Sequence, residues 1–321
     1  MASVVFYFQV HQPFRLRRYS IFDSDARYFD DRRNREICLK VSEKCYLRTN
    51  RLILDLIRRH GGNFRVSYSV TGTIIEQFQR WAPEVLDTFH ELARTGCVEF
   101  IAETYYHSLA FLYNRDEFIR QTRIHAERME QLFGQKPRIF RNTELTYNND
   151  VAKAVEDMGF DAILTEGADH ILGYRSPNFI YNPQNCARLR LLMKNYRLSD
   201  DIAFRFGNRG WPEWPLTCDR FVQWVDQING NGYVCNLFMD YETFGEHQWA
   251  DTGIFDFLRA LPGAIMAGGK NDFLTVSQAL DRYPSVGELD VPHMISWADT
   301  ERDLSAWLGN SMQANALHDV Y

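Results

Sequence analysis

Short apolar runs rich in β-branched and aromatic residues recur along the chain, and most are followed by a stretch with helical periodicity. Strands that are buried on both faces of a parallel sheet show this continuously apolar pattern, so we predict a strand in each run. The predicted strands cover residues 4–10, 64–70, 97–102, 138–142, 161–164, 188–193 and 233–239, with a weaker eighth at 273–276.

The stretches between these runs carry apolar residues at the spacing of amphipathic helices. The predicted helices cover residues 41–60, 73–80, 83–94, 115–133, 149–158, 219–228, 251–260 and 299–308. Gly134 and Gly159 directly follow two of these stretches, which favours a helix end at each position. Residues 168–183 show neither period, and we expect an irregular loop there.

Repeated strand–helix units with strongly apolar strands indicate an α/β fold, in which helices cover a parallel sheet. Seven or eight such units can close into a barrel or remain an open, doubly wound sheet. Polar side chains of reactive types follow the first, third, fourth, fifth and seventh predicted strands. A barrel gathers all of these strand ends at one mouth, whereas an open sheet gathers them only near its switch point. We therefore predict a barrel with a functional site at its mouth.

Charge and composition disfavour several classes of partner. The chain of 321 residues carries 36 Lys and Arg against 42 Asp and Glu, a net charge of −6, which does not favour nucleic acid or an anionic membrane. Its apolar runs are all shorter than the roughly 20 residues that span a bilayer. Six cysteines match no zinc spacing, and Cys97 and Cys235 are expected to be buried thiols. We expect a soluble, cytoplasmic protein without a nucleotide, since both glycine-rich phosphate motifs are absent.

The densest polar cluster follows the seventh predicted strand, where residues 236–249 change from apolar to acidic and aromatic. Asp240, Glu242 and Glu246 lie within seven positions of one another. Because clustered acids repel, at least one should have a raised pKa and could serve as a general acid. A divalent-cation site or a solvated acidic loop is the alternative at this point.

Three further candidates follow other strands: Glu144 after the fourth, His11 after the first and His107 after the third. A carboxylate at Glu144 can attack an electron-poor carbon, or it can form an ion pair with the adjacent Arg141. The two histidines can bind a metal or substrate hydroxyls, although the zinc motif H-E-x-x-H is absent. Two carboxylates at a barrel mouth, with histidines and aromatic rings around them, suit cleavage of a glycosidic bond.

Five stretches, in order along nearly the whole chain, resemble the sequence regions of glycoside hydrolase family 57. They are the His-Gln-Pro of residues 11–13 and residues 103–109, 140–144, 239–248 and 296–310. The fourth, Met-Asp-Tyr-Glu-Thr-Phe-Gly-Glu-His-Gln, is the most specific of the five.

The resemblance implies a distorted TIM-like (β/α)7 barrel, which we place at residues 1–285, and a C-terminal helical segment at residues 286–321. It implies a retaining mechanism on α-1,4-glucans with no metal and no other cofactor. Glu144 would be the nucleophile and Asp240 the acid/base, and a retaining enzyme holds two such carboxyl groups about 5–5.5 Å apart. The expected substrate-binding residues are His11, Glu103, His107, His247, Trp249, Trp297 and Trp307.

The activity itself stays open between α-amylase-like hydrolysis and glucan transfer or branching on the same fold. A metal-dependent polysaccharide deacetylase has a related barrel, and a glucan-binding protein without catalysis is the third alternative. Members of the family usually continue well past the fifth region, whereas this chain ends at Tyr321. We therefore expect either a compact member or one with a shortened helical region.

Overall fold

The structure is a computed structural model that describes residues 1–320; Tyr321, the last residue of the predicted C-terminal segment, lies outside the described residues. Its strands are β1 (Ala2–Val10), β2 (Val66–Val70), β3 (Val98–Phe100), β4 (Ile139–Arg141), β5 (Ala162–Thr165), β6 (Ile180–Pro183), β7 (Arg190–Met193), β8 (Val234–Asp240), β9 (Asn271–Phe273) and β10 (Ser285–Leu289).

Helices connect these strands and cover the outside of the sheet. They are α1 (Asp31–Val41), α2 (Leu47–Arg59), α3 (Gly72–Trp81), α4 (Pro83–Arg94), α5 (Arg115–Phe133), α6 (Asn149–Asp157), α7 (Asp169–Leu172), α8 (Tyr196–Asp200), α9 (Cys218–Asp226), α10 (Ile254–Ala267), α11 (Val276–Arg282), α12 (Ser305–Leu308) and α13 (Ser311–Val320). In residues 1–320 no helix is both long enough and apolar enough to cross a membrane.

Seven parallel strands follow one another around a closed ring in the order β1, β2, β3, β4, β5, β7 and β8, and β8 pairs again with β1. Two seams of this ring are short. A parallel bridge between Ala102 and Phe140 joins β3 to β4. At the other seam, the backbone N–H of Asn195 donates to the carbonyl of Asn236 at 2.9 Å. The predicted (β/α)7 barrel is therefore confirmed, and its distortion lies at these seams.

The barrel interior explains why the first strand is buried at every position and apolar at all but Ser3 and Gln9. Along β1, Val5 and Tyr7 belong to an interior cluster that also contains Leu192 and Phe238. The alternate side chains of β1 pack beneath the outer helices, in a second cluster. Because successive side chains of a strand point to opposite faces, a strand buried on both faces has no position left for a polar surface residue.

Several predicted elements agree closely with the structure, and the disagreements have local causes. The helices at 83–94 and 115–133 have the predicted bounds, and Gly134 ends α5 in the left-handed conformation at φ 68°. The prediction starts a helix at residue 41, whereas α1 already begins at Asp31. The Asp30 side chain caps this earlier start by accepting a hydrogen bond from the N–H of Arg33. The expectation of an irregular loop at 168–183 was wrong in part, since this stretch contains all of α7 and all of β6.

The C-terminal region differs most from the sequence prediction. Only Ser305–Leu308 of the predicted helix 299–308 is helical, because Arg302 adopts a left-handed backbone at φ 56°. The predicted boundary at 285/286 falls inside β10, which pairs with β6. The division into a barrel and a C-terminal segment stays a prediction.

Candidate active site

The mouth of the barrel collects side chains from the carboxyl ends of its parallel strands. His11 directly follows β1, Glu144 lies three residues past β4, and Asp240 is the last residue of β8. His107 lies in the loop after β3. Because the strands run in the same direction around a closed ring, residues far apart in sequence converge at this one end.

The Glu144 carboxylate is held at both oxygens. Its Oε1 lies 2.7 Å from Nε2 of His107, and its Oε2 accepts a hydrogen bond from Nε1 of Trp297 at 2.9 Å. Glu144 and His107 both have left-handed backbones, at φ 54° and φ 55°. Such conformations are costly for residues with a Cβ and persist where the surrounding structure enforces them, which is common at functional sites.

His107 bridges two carboxylates. Its Nδ1 lies 3.3 Å from Oε2 of Glu103, on the side of the ring opposite to Glu144. Burial alone would lower the pKa of His107, but the hydrogen bonds to Glu103 and Glu144 outweigh burial and raise that pKa. Each ring nitrogen faces a carboxylate oxygen, which can only accept when ionised, so this arrangement favours the protonated imidazole in which both nitrogens donate. Glu103 is fully buried behind His107, so it contacts the histidine rather than the open cleft.

His11 stacks on this charged ring as its neutral neighbour. The centroids of the His11 and His107 rings are 4.0 Å apart, with 19° between the ring planes. Burial, followed by the charge of His107, holds the pKa of His11 well below its usual value. His11 Nδ1 is hydrogen-bonded to the Thr71 hydroxyl at 2.9 Å. The opposed pKa shifts thus favour a neutral imidazole at His11 and a cationic one at His107.

The pKa values of Glu144 and Asp240 are shifted in opposite directions. Burial would raise the pKa of Glu144, but the hydrogen bond and the charge of His107, with Arg141 and Trp297 in support, lower it to about 2. Burial, and then the negative charge of Glu144, raise the pKa of Asp240. Two carboxyl groups whose pKa values are shifted apart in this way can act as nucleophile and acid in a single reaction.

Glu242 is a second carboxyl with a raised pKa, close to Asp240. It is buried and accepts a hydrogen bond from the Tyr46 hydroxyl. Burial, and then the charge of Asp240, raise the pKa of Glu242 to about 8. A raised pKa favours folding while the group is protonated, so this contribution to stability is lost as the pH rises through about 8.

Two cavities meet at Glu144 and Ala298. The first, of about 150 Å³, contains Asp240, and the predicted binding residues His247 and Trp297 line it. The second, of about 730 Å³, is lined by His107 and by the predicted Trp307. The structure therefore brings both proposed catalytic carboxyl groups to the wall of one cavity, and the C-terminal segment contributes an aromatic ring to each cavity.

Trp249 lies apart from this arrangement. Its side chain is 60% exposed, and its indole donates to the carbonyl of Glu246 at 3.1 Å. Neither of the two cavities has Trp249 in its wall. In residues 1–320, no three His, Cys, Asp or Glu side chains form a group that could hold a metal ion.

Sequence reasoning did not identify Lys194, and it did not place Arg141 beside Trp297. The guanidinium of Arg141 lies 5.0 Å, and the ammonium of Lys194 5.2 Å, from its ring. Arg141 forms its ion pair with Glu103, at 3.8 Å, rather than the pair with Glu144 that the sequence left open. Both cations stand at the carboxyl ends of predicted strands, so applying the strand-end criterion to Lys and Arg would have found them.

Comparisons with known proteins identify the family of the chain. The family model described as "Glycosyl hydrolase family 57" matches residues 5–292. A protein of Methanocaldococcus jannaschii described as "Putative alpha-amylase" is 48% identical over 316 residues, which cover 97% of this chain and 66% of that protein. The chain thus spans just under two thirds of the length of this relative.

Two crystal structures show the same fold at low sequence identity. The 4-alpha-glucanotransferase from Thermococcus litoralis superposes with a TM-score of 0.72 at 16% identity, over 92% of this chain and 42% of that one. The GH57-type branching enzyme from Pyrococcus horikoshii gives 0.73 at 15% identity, over 99% of this chain and 77% of that one. Since the family model matches most of the chain, the protein belongs to glycosyl hydrolase family 57.

Proposed function

We propose that the protein cleaves α-1,4-glucans with retention of the anomeric configuration, through a covalent glycosyl-enzyme intermediate on Glu144. The observation that carries this proposal is the opposed titration of Glu144 and Asp240 at one cavity. The pair supplies an ionised nucleophile at Glu144 and, at Asp240, a carboxyl whose raised pKa favours proton donation, the two roles that retaining hydrolysis requires.

In the first step, Asp240 donates its proton to the glycosidic oxygen while a Glu144 oxygen attacks the anomeric carbon. The bond from that carbon to the leaving oxygen breaks, and the carbon becomes esterified to Glu144. His107 and Trp297 hold the two carboxylate oxygens in the free enzyme, so the nucleophile is oriented before substrate arrives.

In the second step, Asp240 accepts a proton from the incoming hydroxyl, which attacks the anomeric carbon and releases Glu144. Forming the ester neutralises Glu144, and this removes a charge that raises the pKa of Asp240. The pKa of Asp240 therefore falls when the residue changes from acid to base. The two roles of Asp240 follow from its proximity to the nucleophile.

Water as the acceptor gives α-amylase-like hydrolysis, which is the activity we propose. The description of the M. jannaschii relative supports this choice. Transfer to a second glucan is the other candidate, because the larger cavity beside Glu144, walled by Trp307 and Tyr106, offers space for an acceptor sugar. Membership of a glycosyl hydrolase family argues against the deacetylase alternative.

Maltoheptaose incubated with the protein and resolved by size tests the proposal. We expect shorter oligosaccharides, with the α-anomer appearing first in proton NMR spectra recorded before mutarotation. Products longer than the substrate would assign transfer, and an initial β-anomer would contradict retention. A Glu144→Gln preparation, purified identically, controls for a contaminating amylase. Binding without product after prolonged incubation would leave a non-catalytic glucan-binding protein.

The charge of His107 leads to a prediction about pH dependence. We expect His107→Gln to move the acidic limb of kcat/KM to higher pH, because the pKa of Glu144 rises without the cation. The basic limb should also move up, since His107 lowers the pKa of Asp240 as well. Loss of the oriented donor should reduce kcat by about 10²-fold.

Profiles of kcat/KM against pH for the wild type, His107→Gln and His60→Gln check this prediction. His60 lies just beyond α2, outside the walls of both cavities, so its substitution should leave both limbs in place. An acidic limb that does not move in His107→Gln would show that His107 does not set the ionisation of Glu144.

A further inference from the structure

A loop of the C-terminal region, residues 296–302, closes on itself above the nucleophile. The N–H of Ser296 donates to the carbonyl of Arg302 at 3.3 Å. The N–H of Arg302 donates to Oδ1 of Asp299 at 2.8 Å, and the left-handed backbone of Arg302 turns the chain back. Trp297 stands near the start of this closed loop, so the position of its indole depends on how the loop is fixed.

The loop contacts Glu144 at three points. The Ser296 hydroxyl and the backbone N–H of Trp297 both donate to the carbonyl of Glu144, at 2.9 Å and 3.1 Å. The Trp297 indole donates to the carboxylate itself at 2.9 Å. Two of these contacts brace the left-handed backbone of Glu144 and the third orients its carboxylate, although more than 150 residues separate the partners.

Arg302 ties this loop to the barrel through a cluster of buried and half-buried charges. Its Nη1 lies 2.8 Å from Oε2 of Glu166, which is fully buried after β5, and its Nη2 lies 3.9 Å from Asp200. Its guanidinium also lies 4.2 Å from the ring of Tyr196. Of the charged side chains in this cluster, Arg302 is the member that comes from the C-terminal loop.

Lys194 connects the same cluster to the ring of Trp297. Its ammonium lies 3.4 Å from Glu166, 2.9 Å from Asp200 and 5.2 Å from the indole ring. Without Arg302, Lys194 would face both carboxylates as the remaining cation of the cluster. Arg302 is suited to its position because its planar fork contacts both acids at once, whereas a lysine offers a single point charge.

We propose that Arg302 is a positioning residue for catalysis, whose ion pair with buried Glu166 fixes the loop 296–302 so that Trp297 orients the Glu144 carboxylate. The inference rests on the proposed role of Glu144 as nucleophile. Arg302 lines neither cavity, so it acts through Trp297 rather than by touching substrate. Undocking the loop would leave Lys194 as the one cation between Glu166 and Asp200, and the loss of the second cation near a buried carboxylate is costly, which keeps the loop docked in the native protein.

Fluorine NMR of protein labelled with 5-fluorotryptophan tests this proposal independently of activity. Seven tryptophans give seven resonances, and the Trp297→Phe variant identifies the resonance of Trp297, because that resonance is missing from its spectrum. In the wild type, we expect Glu144→Gln to shift the Trp297 resonance, because the acceptor of its indole changes. In Arg302→Gln, the resonance should lie at a new position and no longer respond to Glu144→Gln. The other six resonances report whether the variant is folded.

Kinetics on maltoheptaose give the second measurement. We expect Arg302→Gln to lower kcat by about 10- to 100-fold with less than about a threefold change in KM, since a small misplacement of a catalytic group has this effect. Arg302→Lys should recover part of the loss. Arg138→Gln is the matched control, because Arg138 also pairs with two acids, Asp161 and Asp281, but at the amino end of β4.

The outcomes separate this proposal from the proposed function. A wild type without glucan-cleaving activity would overturn the function, and the fluorine spectra would still decide whether Arg302 positions Trp297. An unchanged Trp297 resonance with an unchanged response to Glu144→Gln in the Arg302→Gln protein would overturn the positioning role. If Arg302→Gln does not fold, Arg302→Lys decides by the same two criteria, with a smaller displacement expected.

Discussion

Replacing Glu144 with alanine is expected to reduce glucan cleavage by on the order of 10⁵-fold or more, because no glycosyl ester can form. The fold should survive, since the side chain is about 30% exposed and lies at the barrel mouth rather than in the core. The pKa of His107 should fall in this variant, because one of the two carboxylates that raise it is gone. Initial rates and circular dichroism measure the two effects.

Azide adds a chemical signature to this variant. A small anion can enter the space left by the carboxylate and attack an α-glycosyl fluoride, which needs little acid assistance. It attacks from the side that Glu144 occupied, so the expected product is a β-glycosyl azide. Glu246→Ala is the matched control, because Glu246 lies in the loop after β8 and lines neither cavity. Near wild-type turnover by Glu144→Ala would exclude Glu144 as the nucleophile.

The strands of the barrel and the polar residues that follow them were predictable because both signals are local. A strand such as β1, buried on both faces, is apolar along most of its length, and this makes it visible without knowledge of its partners. His11 and Asp240 stand where such a run ends, so the same pattern marks them as residues of one mouth. The sequence therefore predicted which end of the fold carries chemistry.

Contacts that join distant segments were not predictable from a local pattern. The indole of Trp297 reaches Glu144 across 153 positions, and no periodicity encodes that hydrogen bond. The family resemblance named Trp297 as a sugar-binding residue, whereas the structure shows that its N–H is already engaged by the proposed nucleophile. Tertiary contacts thus changed the meaning of a residue that the sequence had identified.

Arg302 illustrates a second reason why parts of the structure were not predictable from the sequence. The sequence around it favours a helix, but its left-handed backbone interrupts that helix, and its ion pair with Glu166 stabilises the interruption. Helix propensity depends on neighbouring residues, so it cannot predict a strained conformation that a distant buried charge stabilises. The insertion of β6 beside β7, within the expected irregular loop, has the same origin in long-range pairing.

Replacing Asp240 with asparagine should produce a loss that depends on the substrate. On maltoheptaose, whose leaving group needs a proton, we expect kcat/KM to fall by about 10²- to 10⁴-fold, the usual contribution of a general acid. With an α-glycosyl fluoride, formation of the ester should be nearly normal, because fluoride leaves without protonation. Comparing the two substrates measures acid assistance separately from any change in binding.

The Asp240→Asn variant also isolates the origin of the basic limb of the pH profile. In the wild type, the raised pKa of Asp240 extends the pH range over which the acid is protonated, and activity falls as the pH rises through that pKa. The limb should vanish in Asp240→Asn, because asparagine does not titrate.

With the Asp240→Asn variant, azide should give an α-glycosyl azide, since it attacks the ester on Glu144 from the opposite side. We expect the β-azide from Glu144→Ala and the α-azide from Asp240→Asn, and this pair of products requires two successive displacements at the anomeric carbon. If both variants give the same anomer, the roles assigned to Glu144 and Asp240 are wrong.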